Sequence, residues 1–158
     1  MALTIAEIAL AGGTLAIAAM PGRAAPYADD LADLLLWQPD LVVSLTTDAE
    51  MAATAPRLSA DLAHNGIRWL HFPIRDFSIP AQSPAPLFST VLTLLPQGGR
   101  VLFHCMGGCG RSGMIALCLM VTLGEAPEPA LKRLRAARPC AVETPEQLEW
   151  ASRSRPYA

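Results

Sequence analysis

A short apolar run, RVLF, leads into the ten residues HCMGGCGRSG, which span positions 104 to 113, and a longer apolar run, MIALCLMVTL, follows. The first run has the length and side chains of a buried strand, and the second is long enough for a helix. Between them, glycines at 107, 108, 110 and 113 leave the backbone almost bare. A strand passing directly into a helix through a glycine-rich turn is half of a parallel α/β unit, which excludes all-helical and all-β architectures. In open α/β sheets the ends of strands where helices begin are the places that bind ligands. Cys105 and Arg111 fall at that place.

The remaining segments agree with an α/β reading. MALTIAEIALAGGTLAIAAMPG is split by Gly12-Gly13 into two apolar runs, which predicts a β-hairpin with a tight turn. It has no basic leader and Glu7 interrupts it, so it is not expected to be a signal peptide. ADDLADLLLWQ spaces Leu31, Leu34, Leu35 and Trp37 as one helical face, closed by Pro39. DLVVSLTT predicts a buried strand, residues 48–64 a helix with an irregularity at Pro56, and IRWLHFPI the next strand. A proline-rich loop, RDFSIPAQSPAP, precedes a helix through LFSTVLTLL. After the central loop come a helix over 111–123, the amphipathic PEPALKRLRAAR and a final helix from TPEQLEW. The predicted fold is α/β: a central, mainly parallel sheet with helices on both faces, one domain over 1–158, with the phosphate-sized loop between a strand and a helix.

Composition matters mainly for what it excludes. Hydrophobic residues make up 52% of the 158 and the net charge is −2, so neither disorder nor nucleic-acid binding is expected. No run reaches the roughly 18 apolar residues of a membrane span. The four cysteines, at 105, 109, 118 and 140, are too few for a disulfide scaffold, which predicts a reducing, cytoplasmic setting. Structural burial is expected for Cys109 and Cys118.

The chemistry follows from the loop. Backbone N–H groups of Met106, Gly107, Gly108, Cys109, Gly110 and Arg111 are placed to converge on a tetrahedral anion, with the helix N-terminus adding its dipole. Arg111 supplies a planar fork for two anion oxygens. Cys105 sits at the base as a candidate nucleophile, thiolate being the reactive form of cysteine. Ser112 is placed to hydrogen-bond its sulfur, and His104 to hold the loop. A structural turn around a buried cysteine would explain neither Arg111 nor Ser112. Zinc is disfavoured because no second pair of ligands exists, so no metal or other cofactor is expected.

On these residues the chain resembles the cysteine-dependent protein tyrosine and dual-specificity phosphatases, whose signature is His-Cys-x5-Arg-Ser/Thr. Within them it is most similar to the kinase-associated phosphatase branch, a likeness that extends over MPGR, DLVVSLTT, GIRWLHFPIRDFSIP and ETPEQ. The resemblance implies hydrolysis of phosphomonoesters through a cysteinyl-phosphate. It also implies that Asp76, at the start of the proline-flanked loop, is the general acid and base. Gln147 aligns with a glutamine that positions water in the family, but Thr144-Pro-Glu-Gln147 is equally a helix capping box. Asp48 and Glu50 are reserve acids. Cys140 replaces a glycine usual in related sequences. Neutral Met106 and Cys109 inside the loop favour a phosphorylated protein or peptide, tyrosine first, over a phosphoinositide. Sulfurtransferase or arsenate-reductase chemistry and a non-catalytic phosphoprotein-binding module remain open alternatives. The sequence is silent on oligomeric state.

Overall fold

The computed structural model describes residues 3–153. Its chain opens with a hairpin of β1 (Ala6–Leu10) and β2 (Gly13–Ala19), paired antiparallel so that Leu10 opposes Gly13. The two turn residues are Ala11 (φ 50°) and Gly12 (φ 89°), both left-handed as a twist-matched two-residue turn requires. The turn therefore sits one residue earlier than the Gly12-Gly13 pair suggested. Gly13 instead opens β2, where a Cβ would lie 2.6 Å from the carbonyl oxygens of Gly99 and Leu95. Glu7, the charge that interrupts the apolar start, accepts a 2.6 Å hydrogen bond from the Trp37 indole.

Three more strands, β3 (Leu41–Ser44), β4 (Arg68–His71) and β5 (Arg100–Cys105), complete a sheet of order β1-β2-β5-β3-β4. All neighbours after the hairpin are parallel. The period of two divides the core. Leu15, Ile17, Val43, Val101 and Phe103 point to one face, while Ala16, Ala18, Val42 and Leu102 point to the other. On the second face pack α1 (Tyr27–Trp37) and α3 (Leu58–His64), through Leu34, Leu58 and Leu62, all fully buried. On the first lie α4 (Ala85–Leu94), α5 (Gly110–Thr122), α6 (Pro127–Ala137) and α7 (Pro145–Ser152).

Two predicted elements are shorter than the sequence pattern implied. The single helix over 48–64 is two helices, α2 (Asp48–Thr54) and α3, separated around Pro56, which has no N–H to donate and excludes helical continuation. β4 keeps only four residues of IRWLHFPI, since Pro73 interrupts the ladder just beyond. By contrast α5 is buried from Gly110 to Val121 on all sides, between the sheet and its neighbouring helices. A helix apolar all round and placed at the centre of a fold has its first turn fixed by the core. That first turn carries Arg111 and Ser112.

Candidate active site

β5 runs through the middle of the sheet and delivers Cys105, 3% exposed, to the start of the loop. The loop's outer surface is tied down carbonyl by carbonyl. Met106 O accepts from Met20 N (3.1 Å), and Cys109 O accepts from Gly113 N (2.9 Å) and Val142 N (3.2 Å). Arg138 donates from Nη2 to Gly107 O (2.9 Å) and from Nε to Gly108 O (3.0 Å). In a trans peptide the N–H points opposite to the C=O of the same unit. Carbonyls held outward at 106, 107, 108 and 109 therefore turn the N–H groups of Gly107, Gly108, Cys109 and Gly110 to the inner side. Gly108 is left-handed (φ 70°), and a Cβ there would lie 2.5 Å from the backbone of Ala18 and Ala19. Only glycine lets the loop lie against β2 this closely.

Arg111 is 1% exposed and needs compensation for the cost of burying its charge. Glu50 supplies it through a two-point pair, Nη1 to Oε2 at 2.7 Å and Nη2 to Oε1 at 2.8 Å. Ile74 O accepts a further bond from Nη1 at 2.9 Å, and Asp76 Oδ1 lies 3.2 Å from Nη2. These contacts account for both terminal nitrogens. Nε is buried and has no hydrogen-bond partner among the described residues. The Arg111 guanidinium hydrogen-bonds Glu50 and pulls its carboxyl down to about 2, despite partial burial acting the other way. The pair in turn raises Arg111 against its own desolvation.

Behind Cys105, His104 is fully buried in a polar chain. Its Nδ1 lies 3.1 Å from Cys105 O, its Nε2 meets Ser44 Oγ, and Trp69 Nε1 donates to that same hydroxyl at 2.8 Å. Desolvation by burial lowers His104 to about 4, so it is neutral at neutral pH. Ser112 Oγ stands 3.3 Å from Cys105 Sγ. Together Arg23, Glu50, Asp76, Phe77, Cys105 and Glu143 help to line a cleft of about 360 Å³ above the loop.

The cysteines do not follow the sequence-based expectation. Cys109 and Cys140 form a disulfide, so Cys109 is neither a merely buried thiol nor available to a metal; Cys118 is fully buried, as expected. The bond joins the loop to the segment after α6, which Arg138 and Val142 already bind to it. Disulfides persist where conditions are oxidising, which removes the ground on which a reducing, cytoplasmic setting was expected. Among the described residues no helix is long and apolar enough to cross a membrane. In the same segment Val142 adopts φ 67°, a conformation that costs a β-branched residue about 1–3 kcal/mol. Burial of its side chain, worth about 1.5–3 kcal/mol, is of the size needed to offset this.

Gln147 is fully buried. Its Oε1 accepts from the N–H groups of Glu143 (3.1 Å) and Thr144 (3.3 Å), and its backbone N–H donates to Thr144 Oγ1, which completes the capping box. Its Nε2 donates to Ser78 O (3.2 Å), two residues beyond Asp76. Of the reserve acids, Glu50 belongs to Arg111, while Asp48 faces outward, 3.6 Å from His71 Nδ1. Sequence reasoning missed Arg138 and Arg23 altogether. It named Glu50 for a different task, although Thr47-Asp-Ala-Glu50 is itself a capping box and marked the carboxylate as locally held.

Comparison with known proteins agrees with this geometry. The family model described as "Tc-R-P: Polymorphic toxin system, DSP-PTPase phosphatase" matches residues 16–125. The chain belongs to this family. It is 33% identical over 92 residues to the putative tyrosine phosphatase 067L of Invertebrate iridescent virus 3, covering 52% of this chain and 38% of that protein. It is 35% identical over 89 residues to human cyclin-dependent kinase inhibitor 3, covering 54% and 42%. The chain thus spans about two fifths of the length of these curated relatives. Among solved structures, kinase-associated phosphatase with its catalytic-site cysteine changed to serine superposes with a TM-score of 0.86 at 25% identity, over 96% of this chain and 93% of that one. Tk-PTP in its active form gives 0.73 at 32% identity, over 92% of each.

Two predictions follow from the charges and the brace. The unfolded chain protonates His104 below about 6.5, whereas the folded protein does so only near 4, so stability falls over that interval. Glu50 adds a second loss between about 4.5 and 2, because its stabilisation exists only while it is ionised. Urea midpoints measured from pH 7 to 2 should show both losses, and Glu50→Gln should remove the lower one alone. Cys140→Ser opens a bond that spans 31 residues, worth about 3–4 kcal/mol in the chain-entropy account. A Tm lower by on the order of 10 °C is expected without reductant, and a dithiol added to the wild type should reproduce it.

Proposed function

We propose that this chain is a cysteine-dependent protein tyrosine or dual-specificity phosphatase that hydrolyses phosphomonoesters through a cysteinyl-phosphate. The observation that carries this reading is the buried Nε of Arg111, without a hydrogen-bond partner among the described residues, beside a loop whose carbonyls at 106 to 109 are held outward. Unpaired donors at a buried site are costly unless a ligand satisfies them. A phosphoryl group supplies the oxygens, and the reacting sulfur lies at the base of the same loop.

In the first step Cys105 Sγ attacks phosphorus as the P–O bond to the leaving group breaks. Asp76, held near Arg111 at the cleft wall, gives its proton to the departing oxygen. The N–H groups of Met106, Gly107, Gly108, Cys109, Gly110 and Arg111, with the Arg111 side chain, meet the equatorial oxygens, whose charge is the main thing to stabilise in phosphoryl transfer. In the second step the Asp76 carboxylate takes a proton from water, the water oxygen bonds to phosphorus, and the S–P bond breaks. Ser112, 3.3 Å from the sulfur, donates a hydrogen bond to the departing thiolate. His104 orients the loop's first carbonyl, and Gln147 positions the acid loop through Ser78.

The substrate is a phosphorylated protein or peptide, with phosphotyrosine first. Phe77, 59% exposed although it lines the cleft, offers an apolar wall to an aryl phosphate. Met106 and the disulfide-bonded Cys109 bring no extra cation into the loop for a polyphosphorylated headgroup.

Cys105→Ser should lower kcat on phosphotyrosine peptides by on the order of 10⁴- to 10⁶-fold. Asp76→Asn should cost about 10²- to 10⁴-fold, with little change in the affinity for vanadate. Single-turnover quenching of the wild type should trap phosphate on Cys105. Wild-type activity retained by Cys105→Ser would refute the assignment.

A further inference from the structure

The cleft above the loop carries its charges unevenly. Glu50 and Asp76 both face Arg111 and are engaged with it. The remaining charged side chains of the cleft wall are Arg23 and Glu143, and they stand at different ends of the loop. The Arg23 guanidinium lies 3.0 Å from where a Cβ on Gly107 would be, while the Glu143 carboxylate crowds the corresponding position on Gly110. Both residues are exposed, and Arg23 enters no ion pair among the described residues. Past Arg23 and Gly107 a second cleft of about 290 Å³ continues the first, sharing both residues as its near wall. Its lining also includes Arg138 and Asp30. Asp30 is 2% exposed: its Oδ2 accepts from Gly22 N, but its Oδ1 is buried without a partner among the described residues.

A second groove beside the proposed phosphate site, with a free cation at the join, fits an extended peptide that carries an acidic side chain to answer Arg23. Inorganic phosphate or a compact aryl phosphate carries no such side chain. We propose that Arg23 is a specificity-determining residue that selects phosphopeptides with an acidic side chain next to the phosphorylated residue. Selection is directional, because the peptide segment leaving the loop at Gly110 meets Glu143 and is disfavoured there if acidic. The proposal rests on the phosphatase reading above and adds to it which substrates the cleft prefers. Because both groups are exposed, each effect is modest and fades with salt.

Three phosphotyrosine peptides test it: one with Gln on both sides of the phosphotyrosine, one with Glu on the N-terminal side only, and one with Glu on the C-terminal side only. The wild type should hydrolyse one Glu peptide about two- to fivefold faster in kcat/KM than the Gln peptide, and the other more slowly. Arg23→Gln should abolish the gain, Arg23→Glu should invert it, and Glu143→Gln should lift the penalty on the disfavoured peptide. The readout is a ratio between peptides for each variant, so a general loss of activity cancels. In a Cys105→Ser background the same ratios should appear in Kd, so a protein that binds without turnover still reports on Arg23. Equal rates and affinities for the three peptides, or a preference that survives Arg23→Gln, would overturn the inference while leaving the phosphatase assignment intact. Absence of turnover with the Kd ratios present would sink that assignment and not this one.

Discussion

The site depends on which way four peptide units point. A loop of bare glycines has no intrinsic reason to aim its N–H groups inward, since glycine is free to adopt nearly any orientation. Orientation comes from outside, where Met20, Arg138, Val142 and the first turn of α5 each take a carbonyl. Each such bond contributes only about 1 kcal/mol to stability. Their effect on geometry is larger, because turning any one carbonyl inward would present a partial negative charge to the anion of the proposed reading. The concave array of donors is thus made by the surrounding structure acting on the loop's convex side.

Arg111 solves a second problem, that of keeping a cation buried in a site that, in the proposed reading, accepts an anion. A lone buried guanidinium would be prohibitively desolvated, and a fully neutralised one would have nothing left for a ligand. The fork geometry resolves the conflict. Two terminal nitrogens are committed to Glu50, Ile74 O and Asp76, while Nε has no partner among the described residues. A lysine offers no such separation of faces, so the choice of arginine at this position has a geometric reason. His104 contributes in the opposite sense. Its burial keeps it neutral, and it adds no charge behind Cys105.

How much of this was legible follows from the range of each interaction. The strand, loop and helix around Cys105 were readable because apolar period and glycine placement are local signals, as was the capping box at Gln147. Pro56 also signalled its break, though not that two separate helices would result. The Glu50–Arg111 pair joins residues 61 apart and Arg138 reaches 30 residues back to Gly108, and no local periodicity encodes such distances. The Cys109–Cys140 bond was invisible for a related reason. Cysteine spacing does not determine pairing, and four cysteines looked like too few to pair at all. The substitution of cysteine for glycine at 140 was noticed, but only a fold that brings 140 beside 109 gives it meaning.

That fold also explains why the stretch from Arg138 to Gln147 carries so many unusual features at once. It contains two arginine bonds to the loop, a disulfide, a left-handed valine and a buried glutamine. Read from the loop outward, these form one mechanical connection. Arg138, Cys140 and Val142 fix the convex face of the loop between β5 and α5. Five residues on, Gln147 reaches across to Ser78 in the loop that holds Asp76. Cys105 ends β5 and Asp76 lies in the loop after β4, and among the described residues no hydrogen bond or ion pair joins the two directly. The segment from Arg138 to Gln147 touches both, and the strain at Val142 is offset by burial of its side chain.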